Sequence, residues 1–392
     1  MKRKLALAAL AGLLASGCTS VQRTAPKPAL TRIGSSPVTL PGLVIGGIFI
    51  IEDKWDKPAP YHFIVDTGSS VTLVSPELAA AHRADEPQPP DEPRVRVRSA
   101  QGGYAVLKAV TLKRLQLGRA KFDYVPALVY DCSDLSSQFG MRIDGVLGFP
   151  LFRNAVLTLD YPDGRAVLRS RTPDEGLPGE PILFDNTDKT PLIPIRLGGK
   201  ELAALVDSGS ASAIDINPAG LAPRFRFGPV DGPLVSTLAG DSPSRVGRLE
   251  STMGIGSFDV RQPVAGVTDE LTSIGGGILS QFTVTFDQRN NQVFFQRDDP
   301  GPLSIPPLRG TGMSFHKTPA YWKVAAVIPG SPAAEDGVAA GDLVSRINGE
   351  PVDAWDPARF DKLVSKADHI DFAFIDGTRE TAKAVGIADI VP

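Results

Sequence analysis

At 392 residues the chain exceeds one ordinary hydrophobic core, so two or three domains are expected. Hydrophobic residues at 42% and charged residues at 22% give the balance of a folded globular protein and exclude a disordered one. With 41 basic against 44 acidic side chains the formal charge is −3, which indicates neither a nucleic-acid-binding surface nor an acidic tail.

The chain opens on a targeting pattern over residues 1–17. Met1-Lys2-Arg3-Lys4 is a positive start, and Leu5 to Leu14 is an apolar run too short to span a bilayer as a mature helix. The run ends in Ala15-Ser16-Gly17-Cys18. This resembles the lipobox of bacterial lipoproteins, although leucine is commoner where Ala15 stands. The resemblance implies a signal peptide removed before Cys18 and lipidation of Cys18. With Thr19 in place of the family's aspartate retention signal, it implies an outer-membrane anchor in the bacterial cell envelope, facing the periplasm. An ordinary secretory signal with an incidental cysteine is the alternative. Residues 18–37 then read as a flexible tether. Cys132 is the only other cysteine, so it is expected as a packed thiol with no disulfide.

Beyond the tether, 39 glycines and 35 prolines point to the many turns of a β-rich chain. The apolar hairpin pattern Leu43 to Ile51 leads into FIVDTGSSVTLV (Phe63 to Val74). A second hairpin, Leu192 to Val206 around Gly198-Gly199, leads into a second copy, ALVDSGSASAID (Ala204 to Asp215). Further on, VLGFPLFRNAVLTLD (Val146 to Asp160) aligns without gaps on SIGGGILSQFTVTFD (Ser273 to Asp287), each followed by a polar turn and another strand. The two halves share one order, so the chain reads as mostly β, with two similar lobes at residues 38–170 and 182–297. Arg171 to Pro181 and Arg297 to Gly312 are Pro/Gly-rich linkers, and Asp85 to Pro93 is expected as a surface loop.

The repeated acid calls for a reason, because an unpaired charge at the end of an apolar strand is costly to bury. Two similar halves pack about an approximate two-fold axis, so a turn placed alike in each can meet its twin. Asp66 and Asp207 would then face each other. Small Thr67 or Ser208 lets the turns approach and offers a hydroxyl across the interface, and Gly68 and Gly209 allow tight backbone beside a carboxylate. Two carboxyls so close hold one shared proton, so one can take a proton from water while the other donates to a carbonyl.

These stretches resemble the aspartic proteases of the pepsin and retropepsin type. The residues that carry the resemblance are Asp66 to Ser70, Asp207 to Ser212, Val146 to Gly148 and Ser273 to Gly275. It implies a catalytic pair, Asp66 and Asp207, in a single-chain, two-lobed enzyme with pseudo-two-fold symmetry. It implies also a cross-lobe hydroxyl grip by Thr67 and Ser208, and outer hydrogen bonds to the carboxylates from Ser69 and Ser210. Neither metal nor cofactor is expected, and polypeptides are the expected substrates. Ser208 and Ser273 depart from the usual threonine and large apolar residue. Val95 to Val110, alternating around Gly102-Gly103, is the candidate for the family's flap, with Tyr104 near its tip. The four histidines, His62, His82, His316 and His369, lack the spacing of a zinc protease.

The composition changes after the second linker. KVAAVIPGSPAAEDGVAAGDLVSRINGEPVDAW (Lys323 to Trp355) resembles a bacterial PDZ domain, followed by an aspartate-capped helix over Asp356 to Ala367. A small α+β PDZ domain is therefore expected at residues 313–392. The resemblance implies a peptide ligand added as a strand to a sheet edge. The stretch expected to hold a ligand carboxylate, Thr318 to Val324, carries Pro319 and no glycine. Internal segments and the chain's own lobes thus stand beside C-termini as ligands. The two functions the sequence supports are a membrane-anchored aspartic endopeptidase with a PDZ module and a catalytically silent peptide-binding lipoprotein.

Overall fold

The computed structural model describes residues 29–84, 93–99, 102–172, 176–238, 240–299 and 301–392. Lobe one begins with β1 (Leu30–Arg32) and the hairpin β2 (Val38–Ile45) and β3 (Ile48–Asp53). β4 (Tyr61–Asp66) carries the first acid, and β5 (Leu73–Val74) follows its loop. Helix α1 (Pro76–His82) starts where Ser75 accepts from Leu78 N at 3.2 Å and Pro76 fills its first position. The long hairpin β6 (Arg94–Arg98) and β7 (Tyr104–Leu117) is followed by β8 (Ala120–Val129), α2 (Ser133–Phe139) and β9 (Gly145–Gly148). β10 (Val156–Asp160) and β11 (Arg165–Arg169) then turn back under the lobe.

Lobe two repeats the plan. After β12 (Pro181–Leu183) come the hairpin β13 (Leu192–Leu197) and β14 (Lys200–Val206), and then β15 (Ile214–Ile216). β16 (Phe225–Asp231), the small hairpin β17 (Val235–Thr237) and β18 (Gly240–Ser242), and β19 (Arg245–Leu249) follow. β20 (Met253–Ile255), β21 (Phe258–Arg261), β22 (Val264–Val267), β23 (Ser273–Ile274) and the short α3 (Gly276–Leu279) lead to β24 (Thr283–Asp287) and β25 (Gln292–Gln296). The strand order β3-β4-β9-β5-β8-β7-β6 in lobe one is matched by β13-β14-β23-β15-β22-β19-β16 in lobe two. The sequence repeat is thus a repeat of topology.

The lobes are joined beneath by one sheet. β10 pairs antiparallel with β24, and Thr158 stands opposite its equivalent, Thr285, with their hydroxyls 2.9 Å apart. The pseudo-two-fold axis passes there. At the strand ends the equivalent acids Asp160 and Asp287 each take an arginine, Arg165 donating to Asp160 at 2.8 Å and Arg171, just after β11, to Asp287 at 2.7 Å. Above this sheet a single apolar cluster, with Phe49, Phe63, Phe149, Phe282 and Phe286 among its members, runs unbroken from one lobe into the other. One core under two lobes holds them as a unit.

Some expected connectors are built in. β1 lies within the supposed tether and pairs with β8, where Arg32 and Arg114 share the buried Asp123. Pro181 begins β12, which adds to β25. In the second linker β26 (Leu303–Ser304) joins β21 and buries Leu303, while β27 (Leu308–Gly310) pairs with the last strand, β34 (Ala388–Val391). Residues 1–28 and 85–92 lie outside the described residues, and with them the targeting segment, Cys18 and most of the expected surface loop. Cys132 is free and buried, and burial, then Asp131, push its thiol up to about 12.

The C-terminal domain has its own core of Trp322, Val324, Val344, Ile347, Ile370 and Phe372. Its sheet orders β28 (Met313–Lys317), β29 (Trp322–Val327), β30 (Leu343–Ile347), β32 (His369–Asp376) and β33 (Arg379–Gly386), with β31 (Glu350–Pro351) beside β30. Helix α4 (Pro332–Glu335) precedes β30, and α5 (Pro357–Lys366) sets Phe360 edge-on to Trp322 at 5.1 Å and to Phe315 of β28 at 6.0 Å. The stretch Thr318 to Val324 is the turn into β29. The loop that enters the edge strand meeting α5 is Gly310-Thr311-Gly312, which does carry glycines. The sequence had placed this loop one strand too late. β28 also meets both lobes: Ser137 Oγ donates to Lys317 O at 3.1 Å, Leu234 N to Ser314 Oγ at 3.2 Å, and His316 Nε2 lies 2.9 Å from Asp241.

The hydroxyl pair on the axis gives a test of how the lobes are joined. Thr158→Val leaves Thr285 Oγ1 buried without that partner and should cost about 1–3 kcal/mol, read by denaturant unfolding. Thr158→Val with Thr285→Val should cost less than the two single changes added together.

Candidate active site

Asp66 ends β4 and Asp207 follows β14, so each acid sits where an apolar strand opens into a tight loop. Each of those strands pairs in parallel with the apolar-apolar-glycine segment of its own lobe, Asp66 beside Gly148 and Val206 beside Ile274. The segment threads the acidic loop so closely that a Cβ on Gly148 would stand 2.2 Å from Val71 O, and one on Gly275 2.4 Å from Ser212 O. Phe149 N donates to Ser69 O at 2.9 Å, and its equivalent Gly276 N to Ser210 O at 2.7 Å. The glycines are required by backbone crowding.

Across the interface the two loops grip reciprocally. Thr67 Oγ1 donates to Val206 O at 2.6 Å and accepts from Ser208 N at 3.0 Å. Ser208 Oγ donates to Val65 O at 2.7 Å and accepts from Thr67 N at 3.0 Å. Both side chains are fully buried. Gly68 lies against the Asp207 carboxyl and Gly209 against that of Asp66, each leaving 2.5 Å between the carboxyl carbon and a built Cβ. No larger residue fits in either place.

The two carboxyls hydrogen-bond to one another. Backbone N–H groups of Gly68 and Ser69 serve Asp66, and Gly209 N donates to Asp207 Oδ1 at 2.9 Å. Asp66 Oδ1 is buried with no hydrogen-bond partner among the described residues. Burial raises both acids above the usual carboxylate range. For Asp207, the Asp66 charge, the nearby Asp215 charge and the bond it gives Asp66 raise it further, while the same bond lowers Asp66. The two acids therefore titrate as one coupled pair.

The outer serines behave differently from expectation. Ser69 Oγ donates to Val71 O at 2.9 Å, and Ser210 Oγ donates to Asp215 Oδ2 at 3.2 Å; neither hydroxyl bonds its neighbouring catalytic candidate. The loop backbone already fills those positions, so the hydroxyls brace the loops instead. Two residues the motifs did not single out also belong here. Asp215, an acid between Ile214 and Ile216, is visible in the sequence as a charge inside an apolar strand. The gapless alignment sets it against Val74. The structure sets it against Leu73, because Asp215 faces Ser273 as Leu73 faces Val146. Tyr161 is the second: its hydroxyl is buried without a partner among the described residues, and burial with the charges of Asp207 and Asp66 holds it above its usual range. No sequence pattern points to Tyr161.

Two hairpins reach between the lobes. In β6–β7, Arg98 Nη2 meets Glu270 Oε1 of lobe two at 2.7 Å. Tyr104 opens β7 beyond the Gly102-Gly103 turn, but its ring is 52% exposed and lies 3.7 Å under the Arg96 guanidinium. The cross-lobe contact is made by Arg98. From the other side, Leu238 beyond β17 packs onto a lobe-one cluster that includes Leu73, Leu128 and Phe139.

Removing the grip should be costly. Thr67→Val or Ser208→Ala strands one buried N–H and one buried carbonyl, and each should lower stability by about 2–5 kcal/mol in denaturant unfolding. Ser208→Thr, which copies lobe one, should cost far less.

Comparison with known proteins places this geometry. Residues 51–151, which include Asp66 and the first glycine segment, match the family described as aspartyl protease, and residues 323–369 match the family described as PDZ domain. The second acid lies outside both matches, and a search of curated proteins gave no match. The chain carries an aspartyl protease domain and, C-terminal to it, a PDZ domain.

Proposed function

We propose that the chain is an aspartic endopeptidase in which Asp66 and Asp207 activate water against a peptide bond. The observation that supports this best is the carboxyl pair facing itself across the lobe interface, each carboxyl packed on the other lobe's loop glycine. Asp66, as the base, takes a proton from water whose oxygen attacks the scissile carbonyl carbon. Asp207, as the acid, gives its proton to the carbonyl oxygen, so a neutral tetrahedral diol forms. Asp66 then gives its proton to the amine nitrogen while Asp207 takes one from a diol hydroxyl, so the C–N bond breaks, an amine and a carboxylic acid leave, and the pair is restored. The PDZ domain supplies the recognition of a substrate or partner peptide.

Membrane anchorage through Cys18 is part of this proposal and is supported by the Met1 to Cys18 pattern alone. Cells fed a labelled fatty acid should label the parent chain and not Cys18→Ser.

Cleavage of an unfolded protein tests the central reading. Assayed between about pH 3 and pH 8, the parent should cut, most strongly toward the upper end where Asp66, raised to about 6, carries its charge, and Asp66→Asn and Asp207→Asn should lose at least about a thousandfold while still folding. Activity should fall at low pH as Asp66 gains a proton and at high pH as Asp207 loses one. A silent parent at every pH, with peptide binding that survives both substitutions, establishes the scaffold alternative instead.

Stability supplies a second pH test. Both acids have folded values above their unfolded ones, so their stabilising contribution is complete below about pH 4, the unfolded aspartate value, and is lost as pH rises through the raised folded values. Asp207→Asn should flatten that part of the stability curve.

A further inference from the structure

Two acids related by a two-fold axis are chemically alike until some neighbour makes them differ. In lobe one, Leu73 of β5 faces Val146 of β9 and lies beside Leu128 of β8. The same three places in lobe two hold Asp215, Ser273 and Gly266. An apolar trio has become an acid, a hydroxyl residue and a gap. The gap is needed, because a Cβ on Gly266 would stand 2.0 Å from Asp215 Oδ1. Ser210 ties this acid to the second loop, giving its hydroxyl to Asp215 Oδ2 at 3.2 Å and its N–H to Asp207 O at 3.3 Å. Burial raises Asp215 above the ordinary carboxylate range, while hydrogen bonds from Ser212 and Ser210 act to lower it and so favour its charged form.

The strands packed against Asp215 bring no countercharge. β22 is Val264-Ala265-Gly266-Val267 and β23 is Ser273-Ile274, so no cation faces it from either. Its charge falls on Asp207, whereas Asp66 has no such neighbour on its own side. We propose that Asp215 breaks the symmetry of the pair: its charge, matched in lobe one only by Leu73, keeps the shared proton on Asp207 and leaves Asp66 as the base. Asp215 acts through Asp207 and is a positioning residue. This inference rests on the reading of the pair as the site of water activation.

Asp215→Asn keeps the shape and can still accept from Ser210, but removes the charge. NMR titration of labelled aspartate carboxyl carbons in the full chain reports the proton on each acid without any substrate. In the parent Asp207 should titrate above Asp66. In Asp215→Asn the Asp207 transition should move down by about one pH unit, without Asp66 following it down. In cleavage assays the alkaline limb of kcat/KM should move the same way, a loss of about tenfold on that limb, while the acid limb does not move down. Asp215→Ser, smaller in the same gap, should reproduce the shift if the asparagine form folds poorly. Unmoved carboxyl titrations, or a downward shift of both acids together, overturn the proton assignment. A uniform loss at every pH with unmoved titrations also overturns it, since that is what a merely structural role gives. A parent that cleaves nothing while the Asp207 transition still moves sinks the hydrolysis reading and leaves the proton assignment standing.

Discussion

A hydrogen bond between two carboxyl groups tolerates errors of only a few tenths of an ångström, yet here its partners come from separate lobes. The register is set by Thr67 and Ser208, whose four hydrogen bonds tie each loop to the backbone of the other. All four are buried, so water cannot replace a bond that is lost. The rest of the architecture keeps that grip closed. The shared sheet under the lobes fixes their axis at Thr158 and Thr285, and the continuous apolar cluster above it resists any hinge. The glycine segments threaded through the acidic loops leave the loops no room to relax.

This constraint explains why an acid ends an apolar strand. A lone carboxylate at that depth would be destabilising, and a buried salt bridge would neutralise it with no gain in chemistry. A second carboxyl solves the burial differently. On the proposed reading the pair shares a proton and carries one charge instead of two, while the loop backbones give it N–H bonds. What remains is an acid and a base set side by side, with one buried Asp66 oxygen that no described residue satisfies.

The topology was legible in the sequence because duplication is a strong signal. Two matching frameworks around Asp66 and Asp207 predict two like lobes, and the strand orders agree. The grip was legible too, since only a small hydroxyl residue suits that contact. Finer hydrogen bonds were not. Ser69 and Ser210 have backbone and acid partners within a few residues, and motif spacing cannot say which partner wins. The one-residue shift that brings Asp215 opposite Ser273 is invisible in a gapless alignment, because register is fixed by cross-strand pairing. β1 was lost in the tether because a three-residue strand has too short a pattern to see. The PDZ loop was misplaced for a related reason: β28 precedes the recognisable KVAAVIPG stretch, and its own glycines fall inside the linker.

An edge strand with unpaired hydrogen-bonding groups invites a partner, and β28 is such an edge on the side away from β29. The lobes already lean on it. Ser137 of lobe one reaches Lys317 O, and lobe two reaches Ser314 and His316 through Leu234, just before β17, and Asp241, within β18. The same hairpin sets Leu238 against lobe one. A peptide that lengthens the sheet at β28 therefore meets groups committed to the lobes, and its affinity carries the cost of replacing them. By reciprocity, whatever holds those lobe contacts more firmly weakens the peptide by the same free energy. The C-terminal domain is in this sense a third wall of the two-lobed body, built on the side chains that also tie one hairpin between the lobes.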